Sequence, residues 1–247
     1  QYYKVTIKYL EKEVGFMLGF IYIDSSYLIF VFPALLFAFY AQFKVKNTFN
    51  KYSRVPNKKG LTGADVARII LERNGLYDVR VEKVGGELTD HYDPRSKVLR
   101  LSQVVYGSNS VAAIGVAAHE AGHAIQHSVG YGPLTLRSSL VPLAGIGSNM
   151  GFPLFLMGLI FSFEPLMYAG IIAFSLAVAF YLITLPVEFN ASSRAIRSLE
   201  DTAVLDYDEV DPAKKVLSAA AMTYVASAAV AIGHLLRLLL IAGRRRR

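Results

Sequence analysis

Two stretches of this chain carry no charged side chain: 140–163, of 24 residues, and 165–187, of 23, parted only by Glu164 in the run Ser162-Phe163-Glu164-Pro165. A bilayer core takes about 20 helical residues per crossing, so the pair reads as a transmembrane helical hairpin rather than a soluble core hairpin. Gly145, Gly147, Gly151 and Gly158 leave smooth faces on its first arm, which is how helices associate when lipid offers no hydrophobic contrast. A third uncharged run, 26–43, is just long enough for another span, and Pro33 in its middle is expected to kink it. Lys44, Lys46, Lys51, Arg54, Lys58 and Lys59 follow it and mark its C-terminal side as cytoplasmic. Segments 44–139 and 188–215 then face the cytoplasm, and the hairpin turn at Glu164 faces outside. Segment 216–243 leaves two readings open. Its length suits a fourth span, whereas its Ala/Ser-rich first half, His234 and Arg237 suit a buried or surface-lying helix. A fourth crossing would also put the basic tail, 244–247, outside. The fold class is therefore membrane α-helical, with three transmembrane helices, a candidate fourth and a small α/β domain.

Composition agrees, at 53% hydrophobic residues, 18% charged and a mean hydropathy of +0.37. These values exclude a disordered or fibrous chain. The absence of Cys removes thiolate nucleophiles, disulfides and Cys-based metal sites, so any metal must sit on His, Asp or Glu. Residues 1–25 precede the first span. Within them 1–16 are charged and strand-like, and Met17 would make a natural start, so 1–16 read as an extension foreign to the functional unit. A cleavable signal peptide is not expected.

Between the first span and the hairpin the pattern becomes that of an α/β piece. Thr62 with Asp65 resembles a capping box and predicts a helix over 63–74, stopped by Gly75. Alternation predicts strands at 79–84, 87–92 and 97–102, the last two joined by a turn at Asp93-Pro94. Ser110 is a plausible N-cap for an Ala-rich helix over 111–129.

That helix carries His119-Glu120-Ala121-Gly122-His123, an H-E-x-x-H sequence. Residues four apart lie about 40° apart around a helix, so both imidazoles can converge on one ion. Glu120 sits about 100° round from His119, close enough to reach a metal-bound water and too far round to compete as a ligand. The pattern points to one zinc ion that acidifies water for attack on a carbonyl, with Glu120 shuttling the proton to a leaving amine. Burying two His and a Glu in the otherwise uncharged stretch 101–135 without a metal would be costly.

A catalytic zinc needs a third protein ligand. His127 fails, because it lies about 12 Å along the axis from His119 on an ideal helix. The metzincin spacing fails as well, since positions 126 and 129 are Gln and Val. Glu188, directly after the third span and on the same side as the H-E-x-x-H helix, is the better candidate.

The segments YAQFKVKNTFNKYSRV, GLTGADVARIIL, GLYDVRVEKVGGELTDHYDPRSKVLRLS, VAAIGVAAHEAGHAIQH and LPVEFNASSRA together resemble the YugP family of neutral zinc metallopeptidases. The arrangement is similar, more distantly, to the HtpX and Ste24 families, which are gluzincin-like. The resemblance implies zinc on His119, His123 and Glu188 with Glu120 catalytic, and a multi-pass protein of a bacterial cell membrane. It also exposes a departure. Gluzincins usually place an Asp four residues after the glutamate ligand to support a zinc-bound His, and here that position is Ser192, so its hydroxyl or another carboxylate must take the role.

In such peptidases an edge strand pairs with extended substrate, and 97–102 or 87–92 would serve. His91, Tyr92 and Arg194 are candidate oxyanion donors, the first two with ordinary turn packing as the alternative. His127 reads as support for the site or as a plain polar contact. The sequence thus suggests a membrane zinc metalloendopeptidase acting on peptides or membrane proteins. The alternative is a non-enzymatic membrane protein with a structural zinc, which would have no use for Glu120. Four Arg at the end of a membrane helix meet lipid phosphates more naturally than nucleic acid. Oligomeric state is not encoded in any motif.

Overall fold

The computed structural model describes residues 25–86 and 89–244. The N-terminal extension as far as Asp24, the pair Glu87-Leu88 and the last three Arg of the tail lie outside the described residues. In chain order the elements are α1 (Tyr27–Tyr52), α2 (Gly63–Arg73), β1 (Arg80–Val84), β2 (His91–Asp93), β3 (Val98–Ser102), α3 (Gln103–Tyr106), α4 (Val111–Ser128), α5 (Gly132–Ile160), α6 (Glu164–Asp201) and α7 (Tyr207–Arg244). The protein is thus mostly helical with one small sheet. Among the described residues four helices, α1, α5, α6 and α7, are long and apolar enough to cross a membrane. Segment 216–243 is part of one unbroken 38-residue helix, which makes α7 the fourth candidate span.

Helix α1 outruns its uncharged stretch. Nothing in 44–52 breaks a helix, and Val45 and Tyr52 are buried, so the helix continues through the lysines. Pro33 is met by a change of register. Residues Tyr27–Val31 are π-helical, and the Phe32 N–H donates to the Tyr27 carbonyl five residues back, immediately before the ring nitrogen that cannot donate.

The chain forms two compact units. The first contains Phe43–Tyr131 and Glu188–Ala221. Its helix α2 begins with the capping box read from the sequence: Thr62 Oγ1 accepts from the Asp65 N–H, and Asp65 accepts from the Thr62 N–H. Gly75, at φ +73°, takes the left-handed conformation that ends this helix. The sheet has order β1-β3-β2, with β1 parallel and β2 antiparallel to β3. Strand β3 is therefore central and has no free edge, which excludes 97–102 as a substrate-pairing strand. Strand β2 starts at His91, so residues 89–90 of the expected 87–92 are not strand. The Asp90 carboxylate accepts from the Ser102 N–H at 2.7 Å, so a side chain occupies the donor that a longer ladder would have used.

The core of this unit joins Val66, Ile70 and Leu71 of α2, Leu99 and Leu101 of β3, Ile114, Ala117, Ala118 and Ala121 of α4, and Ala195 and Leu199 of α6. The Ala-rich face of α4 lets neighbouring elements come close on several sides. Ser110 caps α4 by accepting from the Ala113 N–H. The loop before α2 is sewn to the start of α4, with Asn57 Nδ2 donating to the carbonyls of Leu61 and Asn109 and the Val111 N–H donating to Val55.

The second unit contains α1 up to Gln42, Gly132–Val187, and α7 from Met222. Its hairpin turns at Phe161–Phe163, and Glu164 is the first residue of α6 rather than part of the turn. Gly147, Gly151 and Gly158 of α5 lie against Ala173, Phe174 and Met167 of α6, whereas Gly145 meets open space. Phe155, Ile171, Phe174, Val178 and Leu238 fill the interior. Large apolar side chains such as Ile29, Phe39, Ile146 and Ile172 point outward, each at least 60% exposed. An apolar exterior of that kind suits lipid rather than water.

Candidate metal centre

Two helices of the first unit build the site. Helix α4 presents His119, Glu120 and His123, and α6 presents Glu188 followed by Asn190, Ser192 and Arg194. Their approach depends on Gly122, since a Cβ there would lie 2.5 Å from the Ala191 carbonyl oxygen. The two variable positions of the H-E-x-x-H run are thus Ala121, in the core, and Gly122, at the helix contact.

The Nε2 atoms of both histidines turn toward one carboxylate oxygen. Glu188 Oε2 lies 3.2 Å from His119 Nε2 and 3.7 Å from His123 Nε2. One ligand atom from each of the three residues fits within 4.8 Å of the others, and Glu188 is only 2% exposed. Around a tetrahedral zinc with ligands at ~2.0–2.1 Å, donor atoms stand about 3.3 Å apart, so this set fits such an ion in both spacing and chemistry. The opposite ring nitrogens are anchored. His119 Nδ1 lies 3.1 Å from Ser192 Oγ, and His123 Nδ1 lies 3.0 Å from Gln126 Oε1. Gln126 Nε2 donates to Asn190 Oδ1, which also accepts from Arg194 Nε.

Glu120 stands outside this trio. Its Oε2 accepts the backbone N–H of Tyr92 at 3.0 Å. Burial is the main cause pushing its pKa up to about 7, with the neighbouring carboxylates Asp90 and Glu188 adding to the rise and His119 opposing it. Asp90 is itself raised by burial, against the hydrogen bonds from Ser102. Tyr92 reaches His127 Nδ1 with its hydroxyl at 2.9 Å, and burial raises that phenol to about 12, so it stays protonated at physiological pH.

The candidate residues therefore divide. His119, His123, Glu188 and Ser192 come together, Glu120 adjoins them, and Tyr92 touches Glu120 through its main chain. His127 pairs with Tyr92 rather than with the trio. His91 Nδ1 lies 2.8 Å from the carbonyl of Thr89, two residues back along the chain. Arg194 is bound through Nε to Asn190. Sequence reading missed Gln126, Asn190 and Asp90. Gln126 had one signal, an amide one helical turn after a candidate ligand in an apolar stretch, and the structure buries it fully. Asn190 had another, lying four residues before Arg194 and so able to meet it on a helix.

Comparison with known proteins finds a family and a relative. A family model described as "Putative neutral zinc metallopeptidase" matches residues 27–243. The chain is 51% identical over 217 residues to a protein of Bacillus subtilis (strain 168) named "Putative membrane protease YugP", covering 87% of this chain and 96% of that one. No solved structure matches.

Proposed function

Because this chain belongs to the family described as "Putative neutral zinc metallopeptidase", we propose that it is an integral-membrane, gluzincin-like zinc metalloendopeptidase. Its substrates are peptides or membrane proteins, cut at the cytoplasmic surface of a bacterial cell membrane. One observation carries the reading. Two imidazole Nε2 atoms and the Glu188 carboxylate converge while Glu120 is kept out of the trio on a separate hydrogen bond. A purely structural site would have no use for that fourth residue.

His119, His123 and Glu188 hold the single ion. When bound, zinc supplies Lewis acidity toward water and toward the scissile carbonyl. Glu120, whose carboxylate rests on the Tyr92 amide, takes the proton of the attacking water and returns it to the leaving amine. Ser192 and Gln126 hold the two rings by their Nδ1 atoms. Each oxyanion candidate has a partner of its own: His91 Nδ1 the Thr89 carbonyl, Arg194 Nε the Asn190 side chain, and the Tyr92 hydroxyl His127. Strand β2 is the edge on which an extended substrate adds.

The cytoplasmic assignment rests on the lysines at 44–59, since short basic segments stay inside. With three crossings before Glu188, the catalytic segment and Glu188 lie on one side.

The test is hydrolysis of an unfolded protein substrate by detergent-purified protein, with zinc measured in parallel. Chelation should abolish cleavage and added zinc should restore it. Cleavage that persists after complete removal of zinc overturns the proposal.

A further inference from the structure

Arg194 has only N–H groups to offer and cannot accept a hydrogen bond. Its Nε lies 2.8 Å from the Asn190 side chain, so the atom facing it must be the amide oxygen. Gln126 approaches that same oxygen at 3.0 Å, so it must present its NH2 there. The other end of the Gln126 amide then faces His123 as a carbonyl, 3.0 Å from Nδ1. A carbonyl only accepts. His123 Nδ1 must therefore carry a proton, which in the neutral ring leaves Nε2 as a bare lone pair turned toward Glu188 Oε2. Each link is ambiguous by itself, because amide ends and imidazole tautomers can be exchanged. A cation at the far end removes the ambiguity at every step.

We propose that Arg194, Asn190 and Gln126 form a positioning relay that sets the tautomer and ring orientation of His123 for zinc, the role that a single carboxylate plays on metal-bound histidines elsewhere. The inference rests on the zinc reading given above. Gln126 is fully buried, and Asn190 and Arg194 are partly so, which keeps water from competing for the links. The other histidine is held differently. Ser192 Oγ, 3.1 Å from His119 Nδ1, can donate or accept and so imposes no tautomer. The two histidines are thus unequal: His123 is locked from Arg194, whereas His119 is only steadied.

Two measurements test the relay, and neither needs a substrate. Zinc affinity is read by competition with a chelator, and the His123 tautomer by 15N NMR of histidine-labelled, metal-free protein. In wild type the metal-free ring should be the Nδ1–H form. Asn190→Leu and Arg194→Met should give a mixture of tautomers and weaken zinc by about tenfold or more. Asn190→Asp keeps an acceptor for both donors and should recover affinity to within about threefold of wild type. Circular dichroism identifies any variant that fails to fold, and Asn190→Leu against Asn190→Asp then remains as a pair of similar size, one without and one with an acceptor, the latter also charged. Wild-type affinity and a single Nδ1–H tautomer in folded Asn190→Leu overturn the relay, as does equal loss in Asn190→Asp. His123→Ala separates the two proposals. If it retains zinc, the metal site itself is wrong. If it loses zinc while Asn190→Leu and Arg194→Met bind normally, only the relay is wrong.

Discussion

Gly122 and Ala191 meet backbone to backbone, and a methyl group on Gly122 would press within 2.5 Å of the Ala191 carbonyl oxygen. The contact falls one residue before His123 and three after Glu188, so the spacing of α4 from α6 and the spacing of the ligands are one quantity. Gly122→Ala should push the helices apart, with a stability loss of about 1–3 kcal/mol for an overpacked contact. Zinc content should fall although every ligand is present. A Gly122→Ala protein that binds zinc as tightly as wild type would show that the ligands are set some other way.

Glu120→Gln should keep both fold and zinc while hydrolysis drops by roughly 10²–10⁴-fold, because an amide matches the size of the carboxylate but cannot take a proton from water. The Tyr92 N–H can still find the amide oxygen, so the site should not collapse. Measurable turnover near the wild-type rate in purified Glu120→Gln would rule out this residue as the base.

His119→Ala, His123→Ala and Glu188→Ala should each lose most of the bound zinc, whereas His127→Ala should retain it. His127 is engaged with the Tyr92 hydroxyl and stands apart from the trio. Metal analysis giving the reverse order would reassign the third ligand.

How far these residues could be read in advance depended on distance along the chain. The H-E-x-x-H spacing, the Thr62–Asp65 cap and the Ser110 cap each lie within one helical turn, where backbone geometry alone brings the partners together. Glu188 was reachable only by following the hairpin back to the side it left. Gln126 and Asn190 are 64 positions apart, and nothing in either neighbourhood announces the other. The length of β2 was illegible for a related reason. Alternation in 87–92 is a strand signal, but the side chain of Asp90 takes the Ser102 amide and ends the ladder, a choice made by tertiary contact.

Asp90→Ala should loosen that end of the sheet. The Ser102 N–H and hydroxyl would lose their acceptor, at a cost of about 1–3 kcal/mol for a buried group left unsatisfied. Thermal unfolding of the detergent-purified protein is the measure. A melting temperature unchanged from wild type would show that Asp90 does not hold β2 in place.

Topology can be tested with single cysteines in this Cys-free chain. Tyr207, 98% exposed, and Phe161, 74% exposed, are sound probes, whereas Asn57 at 4% would be shielded from reagent on either side of a membrane. With a membrane-impermeant reagent on intact cells, Phe161→Cys should react and Tyr207→Cys should not. Gly243→Cys decides the last helix: reaction means that α7 crosses, and protection means that it does not. Labelling at Tyr207 with protection at Phe161 would invert the arrangement.

The bond from the Tyr92 amide to Glu120 has a consequence for timing. Tyr92 lies on β2, one of the two outer strands of the sheet, and its N–H points away from β3 to the carboxylate. A peptide laid along that strand and claiming the same hydrogen would have to release Glu120 as it arrived. Arrival of a chain and liberation of the proton carrier would then be a single event, and without a substrate the protein would keep its own base in custody.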